Sequence, residues 1–165
     1  MNVAALFPKC NAARCMKRGP HPHILRHQKE LIDSPAKYVA LLGGYGSGKT
    51  VPACAMGIAL SLKIAKNIGV VVRRSYPKLT DSTLRIFLEL LEAAQIDYDA
   101  LESRDRFPKR IVFPHNQSEV LFRDSQDLGR WLGSQIGWFY IDEAVEEPEE
   151  TFKGLVSRLR LPRAG

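Results

Sequence analysis

Cysteine is scarce in this 165-residue chain. Cys10, Cys15 and Cys54 form an odd, sparse set, which excludes the disulfide framework of small exported domains and leaves reduced thiols as the expectation. Long apolar runs are lacking too. No uninterrupted stretch approaches the roughly 18 to 20 residues that cross a bilayer, and Pro8 and Lys9 cut residues 3–7 short of a signal-peptide core. A soluble, unexported chain with no membrane partner is expected. Neither an internal repeat nor a low-complexity tract occurs, and 45% hydrophobic with 25% charged residues excludes a wholly disordered or collagen-like chain.

A chain of this length is one domain's worth, able to bury about two-thirds of the surface it would expose unfolded. Its net charge of +6 is unevenly placed. Lys9, Arg14, Lys17, Arg18, Arg26 and Lys29 all precede the first acid, Glu30, whereas residues 142–150 hold six acids. Residues 1–23, punctuated by Pro8, Gly19, Pro20 and Pro22, read as a basic flexible arm, either a nucleic-acid contact or a solvated terminus. Residues 24–165 read as the folded domain.

Within that domain, residues 24–32 predict a short helix carrying Leu25, Gln28 and Leu31, stopped by Asp33-Ser34-Pro35. Residues 38–42 are an apolar run of strand length. Helical spacing follows from Thr50 to about Asn67, with Pro52 tolerated in the first turn. The β-branched run 70–72 predicts a buried strand, and Asp81 or Ser82 would cap a helix reaching Ala94. Residues 111–113 and 119–122 predict a hairpin with Asn116 in its turn, and 139–141 predict a strand running into Asp142-Glu143. A last helix from near Pro148 would turn Phe152, Leu155, Val156 and Leu159 inward. Strands alternating with helices predict an α/β fold with a mainly parallel sheet.

The strongest motif is Gly43-Gly44-Tyr45-Gly46-Ser47-Gly48-Lys49-Thr50, matching G-x-x-x-x-G-K-[ST] between a predicted strand and a predicted helix. Glycines allow backbone turns whose N–H groups converge on phosphate oxygens, and the following helix adds its positive end. Lys49 would reach the β- and γ-phosphates, and the Thr50 hydroxyl would ligate Mg²⁺. Such a loop needs an acid at a neighbouring strand end. Asp142 meets that need, and Glu143 would polarise the attacking water. Gln28, 15 residues before Gly43, is either a reader of the adenine edge or an ordinary surface glutamine.

Taken together, His27-Gln28-Lys29, residues 39–50 (VALLGGYGSGKT), 70–79 (VVVRRSYPKL) and 138–144 (WFYIDEA) resemble the ATPase domain of tailed-phage terminase large subunits over about residues 24–161. Ser157-Arg158-Leu159-Arg160 is similar to the family's Arg-Leu-Arg stretch. The resemblance implies a P-loop NTPase αβα sandwich, C-terminally incomplete here. It implies hydrolysis of ATP to move viral double-stranded DNA into a capsid, by a homo-oligomeric ring on the portal in the bacterial cytoplasm, with a small terminase subunit as partner. By that analogy Gly43, Gly44, Tyr45, Gly46, Ser47, Gly48, Lys49 and Thr50 hold the triphosphate, Gln28 reads adenine, Thr50 and Asp142 hold Mg²⁺, and Lys49 and Glu143 act in catalysis. An arginine acting on a neighbouring subunit is also implied, with Arg73, Arg74, Arg104, Arg106, Arg158 and Arg160 as candidates.

Two departures stand out. Tyr45 takes a position where many relatives carry a basic residue, and Gly165 precedes the coupling segment, the later strands and the nuclease domain, so a truncated product or fragment without nuclease activity is expected, the missing parts residing on a separate chain. Cys10, Cys15, His21 and His23 are zinc-ligand types at a spacing that matches no common finger. Arg104, Arg106, Lys109 and Arg110 around Phe107 form either a DNA-facing loop or a solvated charge run. Beside the packaging motor, the same motifs fit a helicase-like ATPase or a nucleotide-binding assembly module with little turnover.

Overall fold

The computed structural model describes residues 26–44, 46–101, 107–127, 133 and 135–160. The arm, Tyr45, Arg104, Arg106 and the Cys10, Cys15, His21 and His23 group lie outside them. In chain order the elements are α1 (Arg26–Ile32), α2 (Thr50–Lys63), β1 (Ile68–Arg73), α3 (Tyr76–Leu79), a π-helical turn (Thr80–Leu84), α4 (Arg85–Ala93), β2 (Asp99–Leu101), β3 (Arg110–Phe113), β4 (Ser118–Asp124), β5 (Trp138–Ile141) and α5 (Glu149–Arg158).

The five strands form one sheet in the order β2-β3-β4-β1-β5. β1 lies parallel to both β4 and β5, with Val71 opposite Phe122 and Tyr140, while β3 runs antiparallel to β2 and β4. Alternation along β1 divides the core between two faces, as a period of two requires. Val71 joins Cys54, Ala55 and Ile58 of α2 and Phe87 and Leu91 of α4 on one face. Val70 and Val72 meet Leu155 of α5 on the other. The result is the expected three-layer α/β arrangement.

The widest side chain at the sheet–helix contact sits in a notch made by missing ones. The Trp138 indole lies over Gly57 of α2 and Gly69 of β1, so close that a Cβ at either would come 2.6 or 2.1 Å from the ring. At the other end of α2, Asn116 in the hairpin turn donates to the Ser61 and Leu62 carbonyls at 2.7 and 3.2 Å, satisfying part of that helix end.

Several boundaries differ from expectation. Residues 39–44 form no strand: they lie outside the sheet, with Tyr38, Val39 and Leu42 exposed. A strand persists only in a hydrogen-bonded ladder, and among the described residues β5, last in the sheet, ladders only with β1. α2 ends at Lys63 instead of Asn67, because Lys66 adopts φ 55° and β1 begins at Ile68. The helix expected from Asp81 begins at Tyr76, whose successor Pro77 suits a first turn. The left-handed residue of the hairpin turn is Gln117, with Asn116 beside it as the helix cap. On α5 the buried residues are Thr151 and Leu155, while Phe152 faces outward, edge-on to Tyr38 and Phe139. β2, too short and exposed to carry a pattern, was not expected.

Gly69→Ala should lower stability by about 1–3 kcal/mol through overpacking against Trp138. Urea denaturation would show this as a lower midpoint at unchanged slope, and Trp138→Leu in the Gly69→Ala background should recover part of the loss.

Candidate phosphate-loop and carboxylate site

The glycine-rich loop adopts the conformation its sequence implies. Gly46 and Gly48 have φ of +73° and +76°, a region closed to most side chains, and a Cβ on Gly48 would also approach the Gln28 amide nitrogen within 2.7 Å. Gln28 is buried on α1 and donates from Nε2 to the Gly48 carbonyl at 2.8 Å, fastening the loop to the preceding helix. Lys49 folds back beneath the loop, its Nζ donating to the Gly43 and Gly44 carbonyls at 2.7 and 2.8 Å. Among the described residues no side chain caps α2, and Ser47 Oγ is buried without a hydrogen-bond partner. The first-turn N–H groups and a hydroxyl are thus gathered where an anion would be met by donors.

Across from this loop, β5 delivers Asp142 into a buried network. Tyr140 and Asp142, two residues apart on one strand, share a face. The Tyr140 phenol donates to Asp142 Oδ1 at 2.8 Å, and Thr50, at the start of α2, lies near the same phenol. Asp142 Oδ2 accepts from the Thr83 hydroxyl and, at 3.2 Å, from Arg73 Nη1. Burial first, and then the Asp142 charge, push the Tyr140 phenol well above its ordinary range, so it stays protonated and acts as a donor to the carboxylate. The Cys54 thiol beside this network is likewise raised, chiefly by burial.

Glu143 is built differently. Its backbone is left-handed, φ 51° and ψ 53°, so its side chain departs from the direction of Asp142. Among the described residues no hydrogen bond or ion pair engages its carboxylate. The turn that follows is pinned from beyond the end of β1: Arg74 donates to the Glu146 carbonyl at 2.6 Å, and Lys78 of α3 pairs with the Glu146 carboxylate at 2.9 Å, which holds that group below the usual carboxylate range.

The sequence-predicted residues Gln28, Gly43, Gly44, Gly46, Ser47, Gly48, Lys49, Thr50, Asp142 and Glu143 therefore gather at one end of the sheet. Tyr45 lies outside the described residues. The oxygens of Thr50 and Asp142 suit a hard cation such as Mg²⁺ that completes its shell with phosphate and water. Of the candidate arginines, Arg73 is committed to Asp142 of its own chain, and Arg158 and Arg160 flank Ile136 at the opposite end of β5. Sequence reasoning missed Tyr140 and Thr83. Tyr140 was legible as the residue sharing the Asp142 face, whereas Thr83 reaches it only through the π-turn.

Because a non-glycine residue in the left-handed region is strained by roughly 1–2 kcal/mol, Glu143→Gly should be more stable than Glu143→Ala by about 1 kcal/mol in chemical denaturation. Equal stability of the two variants would contradict the left-handed geometry.

A family profile described as phage terminase large subunit matches residues 36–165. The PBSX phage terminase large subunit of Bacillus subtilis (strain 168) is 32% identical over 126 residues, which is 76% of this chain and 28% of that protein. The chain thus spans only a minor part of that relative's length. Among solved structures, the large terminase of a thermophilic bacteriophage superposes with a TM-score of 0.69 at 12% identity, covering 86% of this chain and 37% of that one. A form of the same thermophilic-phage terminase in complex with ADP aligns at the same TM-score, with coverages of 85% and 37%. The large terminase ATPase domain of Thermus phage P74-26 aligns at 0.61 and 18% identity, covering 92% of this chain and 64% of that one. The structural likeness establishes the fold. The profile match and the sequence identity establish more: the chain belongs to the phage terminase large subunit family.

Proposed function

We propose that this chain is the ATP-hydrolysing portion of a phage DNA-packaging motor. The observation that carries the reading is the juxtaposition of the glycine loop and the uncapped start of α2 at Thr50 with Asp142, which Tyr140 holds by a hydrogen bond of 2.8 Å. The ADP complex of the thermophilic-phage terminase supports a nucleotide as the ligand of such a loop. Residues 24–165 would form the ATPase domain, with residues 1–23 as a basic arm.

In this reading the loop amides and the α2 N-terminus bind the phosphates, and Lys49 leaves the Gly43 and Gly44 carbonyls for the β- and γ-phosphate oxygens. Thr50 and Asp142 hold Mg²⁺, which neutralises charge on the transferred phosphoryl group when bound. Glu143, unengaged and beside the anchored Asp142, accepts a proton from the attacking water as the bond to the departing ADP breaks. Gln28 joins the loop to α1, so that adenine contact on that helix would be felt at Gly48. Viral double-stranded DNA, a ring of copies on the portal, a small terminase subunit and a nuclease domain on the remainder of the longer relatives are the implied partners, in the cytoplasm of a bacterial host. An arginine from a neighbouring copy would complete the site.

Equilibrium binding of ATP with Mg²⁺, followed by phosphate release with and without double-stranded DNA, tests the reading. Lys49→Ala should weaken ATP binding about 10-fold or more while melting like the wild type, as loss of a charge-assisted hydrogen bond requires. Glu143→Gln should bind ATP normally and lose about 10²–10⁴-fold in turnover. Stimulation by single strands alone would favour a helicase-like ATPase, binding without turnover would favour an assembly module, and normal turnover by Glu143→Gln would remove its assignment as base.

A further inference from the structure

A tyrosine two residues before the anchored aspartate is an unexpected choice for a strand that faces an apolar core. Residues on this face of the sheet meet Cys54, Ala55 and Ile58 from α2 and Leu84 and Phe87 from the helices after β1, an environment in which a phenylalanine or leucine would pack without a polar atom to satisfy. The hydroxyl that Tyr140 brings there is used at once, donated to Asp142 Oδ1 at 2.8 Å.

The other carboxylate oxygen is held by equally specific means. Thr83 sits within the π-helical turn Thr80–Leu84, which inserts an extra residue between α3 and α4. Removing that residue would rotate Thr83 by about 100° about the helix axis, away from β5. Arg73 approaches the same oxygen from the end of β1 and is itself tethered to the Lys78 carbonyl and the Ser82 hydroxyl in the first half of that helical stretch. Each oxygen of Asp142 is therefore fixed from a different element before any cation arrives.

From this geometry we propose that Tyr140 and Thr83 are positioning residues of the metal site, holding Asp142 in the arrangement that couples Mg²⁺ to nucleotide binding. The inference rests on the nucleotide reading above and deepens it by naming which residues of this chain the cation depends on. Neither residue needs to touch the cation or the phosphates. They act through the carboxylate, as hydrogen-bond partners behind metal ligands do elsewhere, where their loss weakens metal affinity by about 10- to 100-fold.

The test is a ratio measured on the full 165-residue chain. A non-hydrolysable ATP analogue is titrated once with Mg²⁺ and once with EDTA, and the ratio of the two affinities reports the coupling free of turnover. Wild type should bind more tightly with Mg²⁺. Tyr140→Phe and Thr83→Val should lose about 10-fold or more of that ratio while their affinities in EDTA stay within about 2-fold of wild type. Thr83→Ser, which keeps the hydroxyl, should restore it. Thermal melting accompanies each variant, and if Thr83→Val fails to melt cooperatively, the isosteric Tyr140→Phe decides alone.

An unchanged ratio in Tyr140→Phe overturns the proposal. So does an equal loss of affinity in both arms, which would mark a purely structural role. If the wild type binds the analogue in a Lys49-dependent way but with no effect of Mg²⁺, the phosphate loop stands and the positioning role falls. If it binds in neither arm, the nucleotide reading itself falls.

Discussion

A buried carboxylate is the constraint around which this fold is organised. Taking the Asp142 charge out of water costs several kcal/mol unless donors replace its hydration. Three side chains do so, and each comes from a different place: Tyr140 from the strand that carries Asp142, Arg73 from the end of β1, and Thr83 from the π-turn. The demand made by one side chain thus fixes the register of β5 on β1 and the path of the helices that follow β1. Removing any single donor would leave a charge with incomplete solvation, so these elements hold together as a set.

The glycines on the same face belong to this arrangement. Gly57 and Gly69 let the Trp138 indole lie flat between α2 and the sheet, which sets how closely α2 can approach β5. That approach is what brings the start of α2, at Thr50, close to the end of β5 near Tyr140. A wider side chain at either glycine would be felt at the start of the helix. Packing far from the chemistry and geometry within it are one problem here, solved by the absence of two Cβ atoms.

Much of this was legible in the sequence because the signals are local. The loop 43–50 announces itself through residue types whose backbone needs are strict, and β-branched runs, the hairpin and the Pro148 helix start follow from short-range patterns. What could not be read depends on partners distant along the chain. Residues 38–42 have the composition of a strand yet find no ladder among the described residues. Phe152 fits an inward helical stripe but is displaced by Thr151, because the helix meets the sheet at a different rotation. The π-turn leaves no mark in a periodicity of 3.6, and with it Thr83 was invisible. Arg73 was noted for its charge alone, and only the fold shows that its counterpart is 69 positions away.

The self-contacts of Lys49 shape how any anion must enter the loop. With two of its three N–H groups given to carbonyls of the same loop, the ammonium is already partly engaged before a ligand arrives. Entry is therefore an exchange: two hydrogen bonds to neutral acceptors are surrendered as bonds to a charged one form, and the net gain is smaller than the bare attraction suggests. Such a trade tempers affinity while lowering the barrier to departure, since the carbonyls stand ready to take the ammonium back. On the proposed nucleotide reading, such an exchange would suit repeated loading and release.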